Sequence, residues 1–294
     1  MPKVLGVAGL ALLGSALGGS ARGQASGAVW DSVGRILQAP PTPAAGYTRY
    51  NFPRRDIALR MGDVEVAPGL ALGSWAGLAG NPDSAIAMGD LVLLPGELAR
   101  VLRELDAAGL EVTAIHNHLA GEQPALSYLH FHGEGTAFSL AAAIDRALRL
   151  TATPRPASAS GSAPVSIDTA MVFRVLGIRG RASGAVAQLS PVLVPGAVTA
   201  HGRTLVPALA YGSPLNLQQV AADRMVAAGD FAVLESGLAP LVHALISHGI
   251  TATAMHSHLI GESPRLYYVH FWADGKPEAV LEGLKAALTA VGNH

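Results

Sequence analysis

The chain contains no cysteine among its 294 residues. Disulfide bonds, thiolate metal ligands, a cysteine nucleophile and a lipid-modified N-terminal cysteine are therefore excluded. Charged residues are also scarce, at 14% of the chain, and the formal net charge is −1. Because no basic stripe is present, we expect no nucleic-acid partner. Half of the residues are hydrophobic, which is ample material for a packed core.

Long apolar runs are missing as well, except at the N-terminus. There Lys3 precedes an apolar, glycine-rich run from Val4 to Gly18, and small residues follow. This layout is typical of a secretory signal peptide, and the run is shorter than the roughly 20 residues of a membrane-spanning helix. We therefore predict a signal peptide over residues 1–25, export to the periplasm or the cell exterior, and a soluble mature chain without a membrane span.

The chain repeats itself. The stretch "HNHLAGEQPALSYLHF" at 116–131 returns as "HSHLIGESPRLYYVHF" at 256–271, with ten of sixteen positions identical at an offset of 140. The likeness extends upstream to a Gly-Asp pair at 89–90 and again at 229–230. Self-similarity of this kind indicates a duplicated unit. We predict repeat domains at 27–150 and 166–294, joined by a Pro/Ala/Ser-rich linker at 151–165.

Within each repeat the local pattern reads strand, helix, strand, strand, helix. Leu98, Val101, Leu102 and Leu105 follow helical spacing, and Gly109 is a typical helix stop. The segments on either side of the "AGEQP" turn alternate as strands do. The predicted fold class is α+β, with two homologous sandwich-like halves, each a mostly antiparallel sheet with helices on one face.

Period-two alternation predicts that the histidines share one face of a hairpin. Successive side chains on a strand point to opposite faces, so His116 and His118 share one face, as do Tyr128 and His130 on the return strand. We expect cross-strand partners whose numbers sum to 246, because a slip by one residue would bury His130 among apolar side chains. The second repeat follows the same pattern with His256, His258, Tyr268 and His270.

Three imidazoles on adjacent strands suit a divalent transition metal, above all Zn²⁺, with Cu²⁺, Mn²⁺ and Fe²⁺ as alternatives. Glu122 and Glu262, at the turns, are candidates for a fourth ligand or a catalytic base, or they only tie down the turn. Tyr128, Tyr268 and Arg54 are candidates for binding a ligand. The predicted metal ligands are His116, His118 and His130 in repeat one and His256, His258 and His270 in repeat two.

The repeated H-x-H-L-x-x-E-x-P-x-L-x-Y-x-H-F core, the "MGDLVL" strand and the "LGSW" segment resemble the LppY/LpqO family. This is an uncharacterised bacterial family whose members are often exported and often carry two copies of the domain. The likeness covers nearly the whole mature chain. Repeat two lacks the "FPR" element of repeat one, and the absent cysteine departs from the lipoprotein members. The resemblance implies export and duplication, and it implies no particular activity.

Three hypotheses about function follow. The leading one is an exported protein with one metal site per repeat, made of three histidines and a glutamate, for which metal-dependent hydrolysis is the favoured reaction class. The second is a non-enzymatic module that binds a small molecule or a cell-envelope component through the His/Tyr face. The third is a structural protein whose hairpins pack the two halves together. Clustered imidazole nitrogens favour the first hypothesis, and a groove lined by Tyr128 and Tyr268 favours the second.

Overall fold

A computed structural model describes residues 18–156 and 166–292. The elements of the first repeat are α1 (Gly18–Leu37), β1 (Thr42–Ala44), β2 (Tyr47–Pro53), β3 (Leu59–Met61), β4 (Val64–Val66), α2 (Pro68–Ala71), β5 (Gly73–Asn81), β6 (Ser84–Leu93), α3 (Pro95–Ala107), β7 (Glu111–His116), β8 (Ser127–Gly135) and α4 (Ala137–Leu148). Those of the second are α5 (Thr169–Leu176), β9 (Arg181–Ser183), β10 (Val186–Leu189), β11 (Thr199–Ala200), β12 (Arg203–Thr204), α6 (Pro207–Ala210), β13 (Leu215–Ala221), β14 (Arg224–Val233), α7 (Glu235–Ser247), β15 (Thr251–His256), β16 (Tyr267–Gly275) and α8 (Pro277–Gly292).

Each repeat forms a six-stranded antiparallel sheet with the same strand arrangement. The orders are β1-β2-β5-β6-β8-β7 and, read from the other edge, β9-β10-β13-β14-β16-β15. Each repeat also carries a small separate hairpin, β3–β4 in the first and β11–β12 in the second. The predicted α+β class, with two homologous halves built on mostly antiparallel sheets, is confirmed.

The two faces of each sheet pack against different partners. One face packs under the helices of its own repeat, where Leu91 and Phe131 join Val101 and Ile144 in a single apolar core. The opposite face packs against the other repeat. There Val92 and Tyr128 of the first sheet join Val226, Ala228 and Trp272 of the second. The layers are therefore helices, sheet, sheet, helices. The face of each sheet that is not covered by helices is covered by the sheet of the other repeat.

The repeated Gly-Asp pair is explained by close packing. A Cβ placed on Gly89 would overlap the carbonyl oxygen of Trp75 and the ring of Phe131. At Gly229 it would overlap the carbonyl oxygen of Pro214. Only glycine fits at these two strand positions, because the backbone of the neighbouring strand lies directly against them. The glycines thereby fix where the following aspartates enter the space between the sheets.

The hairpin register differs from the predicted one by two residues. His116 lies opposite Tyr128, and Ala114 lies opposite His130, so partner numbers sum to 244 and not to 246. The strand β7 already ends at His116, and a bulge between Val112 and Ala114 separates these pairs from the earlier ones, whose numbers sum to 243. A shift of two residues leaves every side chain on its own face, whereas a shift of one would not. The second repeat has the same register, with His256 opposite Tyr268.

The predicted domain limits are not tested by the fold. Residues 1–17 of the predicted signal peptide and residues 157–165 of the predicted linker lie outside the described residues. Helix α1 starts at Gly18 and therefore overlaps the end of the predicted signal segment. Among the described helices, none is long and apolar enough to cross a membrane. The export of the chain stays a prediction.

Candidate metal centre

Six histidines from the two repeats meet between the sheets. The ring centroids of His116 and His256 lie 3.7 Å apart. The rings of His118 and His270 lie 4.2 Å apart, and those of His130 and His258 lie 3.9 Å apart. Exchanging the repeats maps the second contact onto the third and leaves the first unchanged. The cluster therefore follows the internal two-fold relation of the chain, with the His116 and His256 rings next to its axis.

The six predicted ligands do not form one separate site per repeat. One group of ligand atoms within 4.8 Å of one another is His116, His118 and His130, as the sequence suggested. The other group joins His116 of the first repeat to His256, His258 and His270 of the second. The reason is the face-to-face packing of the sheets, which brings the two histidine faces together. The structure thus shows a single shared cluster.

Two aspartates, which the sequence reasoning did not assign to the site, lie beside the cluster. Asp90 on β6 is the strand partner of His130, and Asp230 on β14 is the strand partner of His270. The carboxylate of Asp90 lies 3.9 Å from His118 Nε2 and 4.0 Å from His130 Nε2. Asp230 Oδ2 lies 3.7 Å from His270 Nε2. The sequence did contain a feature that could have identified them, because in both repeats an aspartate stands within a largely apolar strand.

Burial sets the charge state of the centre. It lowers the pKa of His116 to about 3, with a further contribution from His256, and it lowers the pKa of His118, His130, His258 and His270 well below the usual value. Burial also raises the pKa of Asp90 to about 8, against the opposing charge of Arg49. The imidazoles are therefore held neutral, which is the form that donates a lone pair to a metal.

Several buried polar atoms of the cluster have no hydrogen-bond partner among the described residues. They include one carboxylate oxygen of each aspartate, and an unpartnered buried polar atom costs about 1–3 kcal/mol. Such a concentration of unsatisfied acceptors at one point fits a bound cation that satisfies them together. The atoms are Nε2 of His116, His118, His130, His256, His258 and His270, and Oδ1 of Asp90 and Asp230.

The two glutamates point to the loops and not to the cluster. The Leu126 amide donates to Glu122 Oε1 at 3.4 Å, and the Leu266 amide donates to Glu262 Oε1 at 3.1 Å. Arg265 lies 3.4 Å from the same oxygen of Glu262. Within the described ranges, neither glutamate belongs to a group of potential metal ligands. Their geometry is that of loop anchors, and burial raises the pKa of Glu122.

The two tyrosines form walls of the cluster. The Tyr128 ring stacks on His118 with centroids 3.3 Å apart, and the Tyr268 ring stacks on His258 at 3.7 Å. Each hydroxyl donates to a backbone carbonyl, Tyr128 to Ala71 at 2.9 Å and Tyr268 to Ala210 at 3.0 Å. These hydroxyls are engaged, so the tyrosines offer ring faces and fix the imidazole planes.

A cavity of about 510 Å³ opens next to the centre and is lined by both tyrosines, both aspartates and four of the six histidines. Arg49 lies in its wall, with its guanidinium 4.0 Å from the centroid of the Trp75 ring and its Nε donating to Asn51 at 2.8 Å. Burial lowers the pKa of Arg49. The cavity is large enough for a small organic molecule and carries a cation close to the imidazoles.

Arg54 lies away from the cavity. Its side chain is 0% exposed, and it forms ion pairs with Asp56 at 2.8 Å and Glu97 at 2.7 Å. Its Nη1 also donates to the carbonyl of Val92 at 2.6 Å. The structure therefore places Arg54 in a buried network that ties the loop after β2 to helix α3. That network occupies the donors that an anionic ligand would need.

The family model for a Domain of Unknown Function, DUF1259, matches residues 31–150 and again residues 170–290. The chain belongs to the DUF1259 family. This membership agrees with the duplication seen in sequence and fold, while the more specific LppY/LpqO likeness stays a prediction. No curated protein matches the chain.

Several solved structures are distantly similar to this DUF1259 protein. EtuB from Clostridium kluyveri is 16% identical over 86% of this chain and 90% of its own, with a TM-score of 0.21. The regulatory subunit of aspartate kinase from Thermus thermophilus is 15% identical over 76% of this chain and 98% of its own, with a TM-score of 0.20. A fused permuted hexameric shell protein from the RMM microcompartment has a TM-score of 0.22 at 15% identity, over 70% and 84% of the two chains. Scores this low support no argument about fold or function.

Proposed function

We propose that the protein is a metal-binding protein whose two repeats build one shared multi-histidine centre beside a small-molecule cavity. The observation that carries this proposal is the set of buried, neutral imidazole nitrogens from both repeats, which have no partner among the described residues. A purely structural hairpin pair would gain more by burying apolar side chains, because unpaired buried polar atoms destabilise the fold. A divalent cation turns the same atoms into ligands.

The donor set decides the class of metal. The chain has no thiolate, and the cluster offers only imidazole nitrogens with two carboxylates nearby. Such ligands suit Zn²⁺ best and accept Cu²⁺, Mn²⁺ and Fe²⁺. The hydrogen-bond contact of His116 Nδ1 with the carbonyl of Asn117, at 3.3 Å, leaves Nε2 as the ligand atom. Because the His116 nitrogen can bind only one ion, the group of His116, His256, His258 and His270 would supply four ligands to that ion.

The cavity favours metal-dependent hydrolysis as the reaction class. A bound cation would supply Lewis-acid chemistry at this site, and a nearby carboxylate would move the proton. Asp90 and Asp230 line the cavity and lie beside the ligands, whereas Glu122 and Glu262 accept backbone amides in the loops. We therefore transfer the proposed proton-transfer role from the glutamates to the aspartates. A bound cation would oppose the raised pKa of the Asp90 carboxyl and so favour its ionised form, which is the base. Arg49 favours a substrate with an anionic group.

Ligand capture without catalysis is the alternative function. The stacked ring faces of Tyr128 and Tyr268 and the apolar part of the cavity wall favour it. We also keep the proposal that the protein acts after export, which rests on the apolar run behind Lys3. Cell fractionation followed by intact-mass measurement, on protein produced from residue 1, tests this proposal. Absence of the chain from the exported fraction would contradict export, and an uncleaved chain in that fraction would contradict signal removal at residues 21–25.

Metal analysis of the untagged protein tests the centre. After incubation with Zn²⁺ and desalting, we expect the wild type to retain stoichiometric metal and the His258→Ala/His270→Ala variant to lose one equivalent, because two of the four ligands are gone. Circular dichroism of both proteins controls for folding. Parallel incubations with Cu²⁺ and Mn²⁺ rank the metals. A wild type that retains no stoichiometric metal from any of the three would overturn the proposal.

A further inference from the structure

A second group of ligand-type side chains lies at another contact between the repeats. Glu111 on β7 and His132 on β8 are strand partners at the edge of the first sheet. His201 stands at the tip of the β11–β12 hairpin of the second repeat and reaches over to them. We propose that Glu111, His132 and His201 form a second metal site, which binds Zn²⁺ and clamps this hairpin to the first sheet.

The three ligand atoms already converge. Glu111 Oε2 lies 3.3 Å from His201 Nε2 and 3.9 Å from His132 Nδ1. All three atoms lie within 4.8 Å of one another. When ligand atoms lie about 2.0–2.2 Å from a tetrahedral Zn²⁺, the distances between the ligand atoms are similar to those seen here. Only small side-chain rotations would therefore bring these three atoms around one ion. The half-exposed His201 is the ligand with room to make them.

The surroundings of His132 resemble those of a metal-bound histidine. Its second nitrogen, Nε2, lies 3.9 Å from the carboxylate of Glu134. Glu134 is in turn held by Arg203, at 3.1 Å, from the same hairpin as His201. Histidines that bind zinc commonly direct their free ring nitrogen to a carboxylate, which fixes the ring orientation. The carboxylate, the imidazole and the metal position therefore lie in the expected order.

The turn of the hairpin sets the position of the His201 ring. His201 has φ of 51° and is followed by Gly202 with φ of 73°. Histidine is, with Asn and Asp, among the non-glycine residues found most often in the left-handed region, so this tight turn accommodates it. The turn holds the imidazole with its Nε2 3.3 Å from Glu111 Oε2.

The chain contains its own comparison. The hairpin β3–β4 of the first repeat makes the equivalent contact with the second sheet, and there Arg224 bridges Asp63 at 2.6 Å and Asp274 at 2.7 Å. At the offset of 140, Thr251 and Trp272 stand where the other contact has Glu111 and His132. Asp274 matches Glu134, which pairs with Arg203 of the β11–β12 hairpin. Both hairpin contacts therefore contain an ion pair, and the histidine–carboxylate group is an addition to one of them.

A Zn²⁺ titration in a His116→Ala/His258→Ala background isolates this site, because His116 belongs to both ligand groups of the shared cluster. We expect one equivalent to bind by calorimetry. His201→Asn and Glu111→Gln, each added to that background, should weaken binding by at least about tenfold, because each removes one of three ligands. Asparagine suits the left-handed turn and glutamine keeps the shape of glutamate, so folding should be retained. His243→Asn, which changes a histidine on α7, is the matched control and should bind as the background does.

The second readout is thermal stability. Zn²⁺ at 100 times its dissociation constant stabilises the folded form by about 2.7 kcal/mol, and a site that binds tenfold more weakly gives about 1.4 kcal/mol at the same concentration. We therefore expect Zn²⁺ to raise the melting temperature of the background protein, and to raise that of the His201→Asn protein at most about half as much. No Zn²⁺ binding by the background protein, or equal binding by the His201→Asn protein, would refute the second site. Because the shared cluster is disabled throughout, either result is separate from the fate of the first proposal.

Discussion

Replacing His116 with alanine should weaken the tightly held metal ion at least about 100-fold. Loss of a residue that only supports a ligand lowers metal affinity about 10–100-fold, so we expect the loss of a ligand itself to lower the affinity more. His116 belongs to the first repeat, yet its ring lies 3.7 Å from that of His256 and its nitrogen completes the group formed by three histidines of the second repeat. A competition titration of Zn²⁺ against a chromophoric chelator measures the change.

His118→Ala is the matched control for this prediction. His118 comes from the same repeat, two residues after His116, but it lies outside the four-histidine group. In a shared centre, its loss should therefore weaken the tight ion much less than the loss of His116. Two independent sites would respond differently, because both variants would empty the first repeat and leave a full-affinity site in the second. Retention of one full-affinity equivalent by His116→Ala would contradict the shared centre. Both variants are compared in a His201→Asn background, so that the proposed second site does not contribute to the measured Zn²⁺ binding.

Arg54→Leu should lower the free energy of unfolding by about 3–5 kcal/mol. Glu97 would lose its cationic partner while remaining buried at 3% exposure, and the carbonyl of Val92 would lose a donor. A buried charge without compensation costs far more than a surface ion pair. Urea denaturation followed by circular dichroism measures the loss, and the metal affinity of the folded protein should stay the same.

The second repeat offers the control for Arg54. Ser74 and Ser213 accept amide hydrogen bonds from Val92 and Ala232, so they mark equivalent positions at an offset of 139. By the same offset Leu193 replaces Arg54. Arg54→Leu/Glu97→Gln should recover part of the stability, because the charge is gone and the single amide oxygen still accepts from one of the two amides, Leu94 or Ala152, that donate to the two oxygens of Glu97. A double variant no more stable than Arg54→Leu would show that the unpaired charge is not the cause.

The sequence alone was enough to predict the duplication and to predict which side chains share one face of a strand. The offset of 140 identified two units, and period-two alternation placed His116, Tyr128 and His130 on one face. Those inferences survived a register that differs by two residues, because side-chain direction on a strand depends only on odd or even position. The bulge near Ala114 was not readable, since nothing in the local composition marks it.

The sequence determined that each repeat presents a histidine face, and only the tertiary structure decided what that face meets. Local periodicity reports which side of a strand is apolar, and it contains no information on which surface of the same chain will cover the other side. Pairing of β6 with β8 and of β14 with β16 placed Asp90 and Asp230 beside the histidines, and face-to-face packing of the sheets turned two predicted sites into one. Glu122 and Glu262 are not part of the cluster, because their carboxylates accept hydrogen bonds from the amides of Leu126 and Leu266 in the loops.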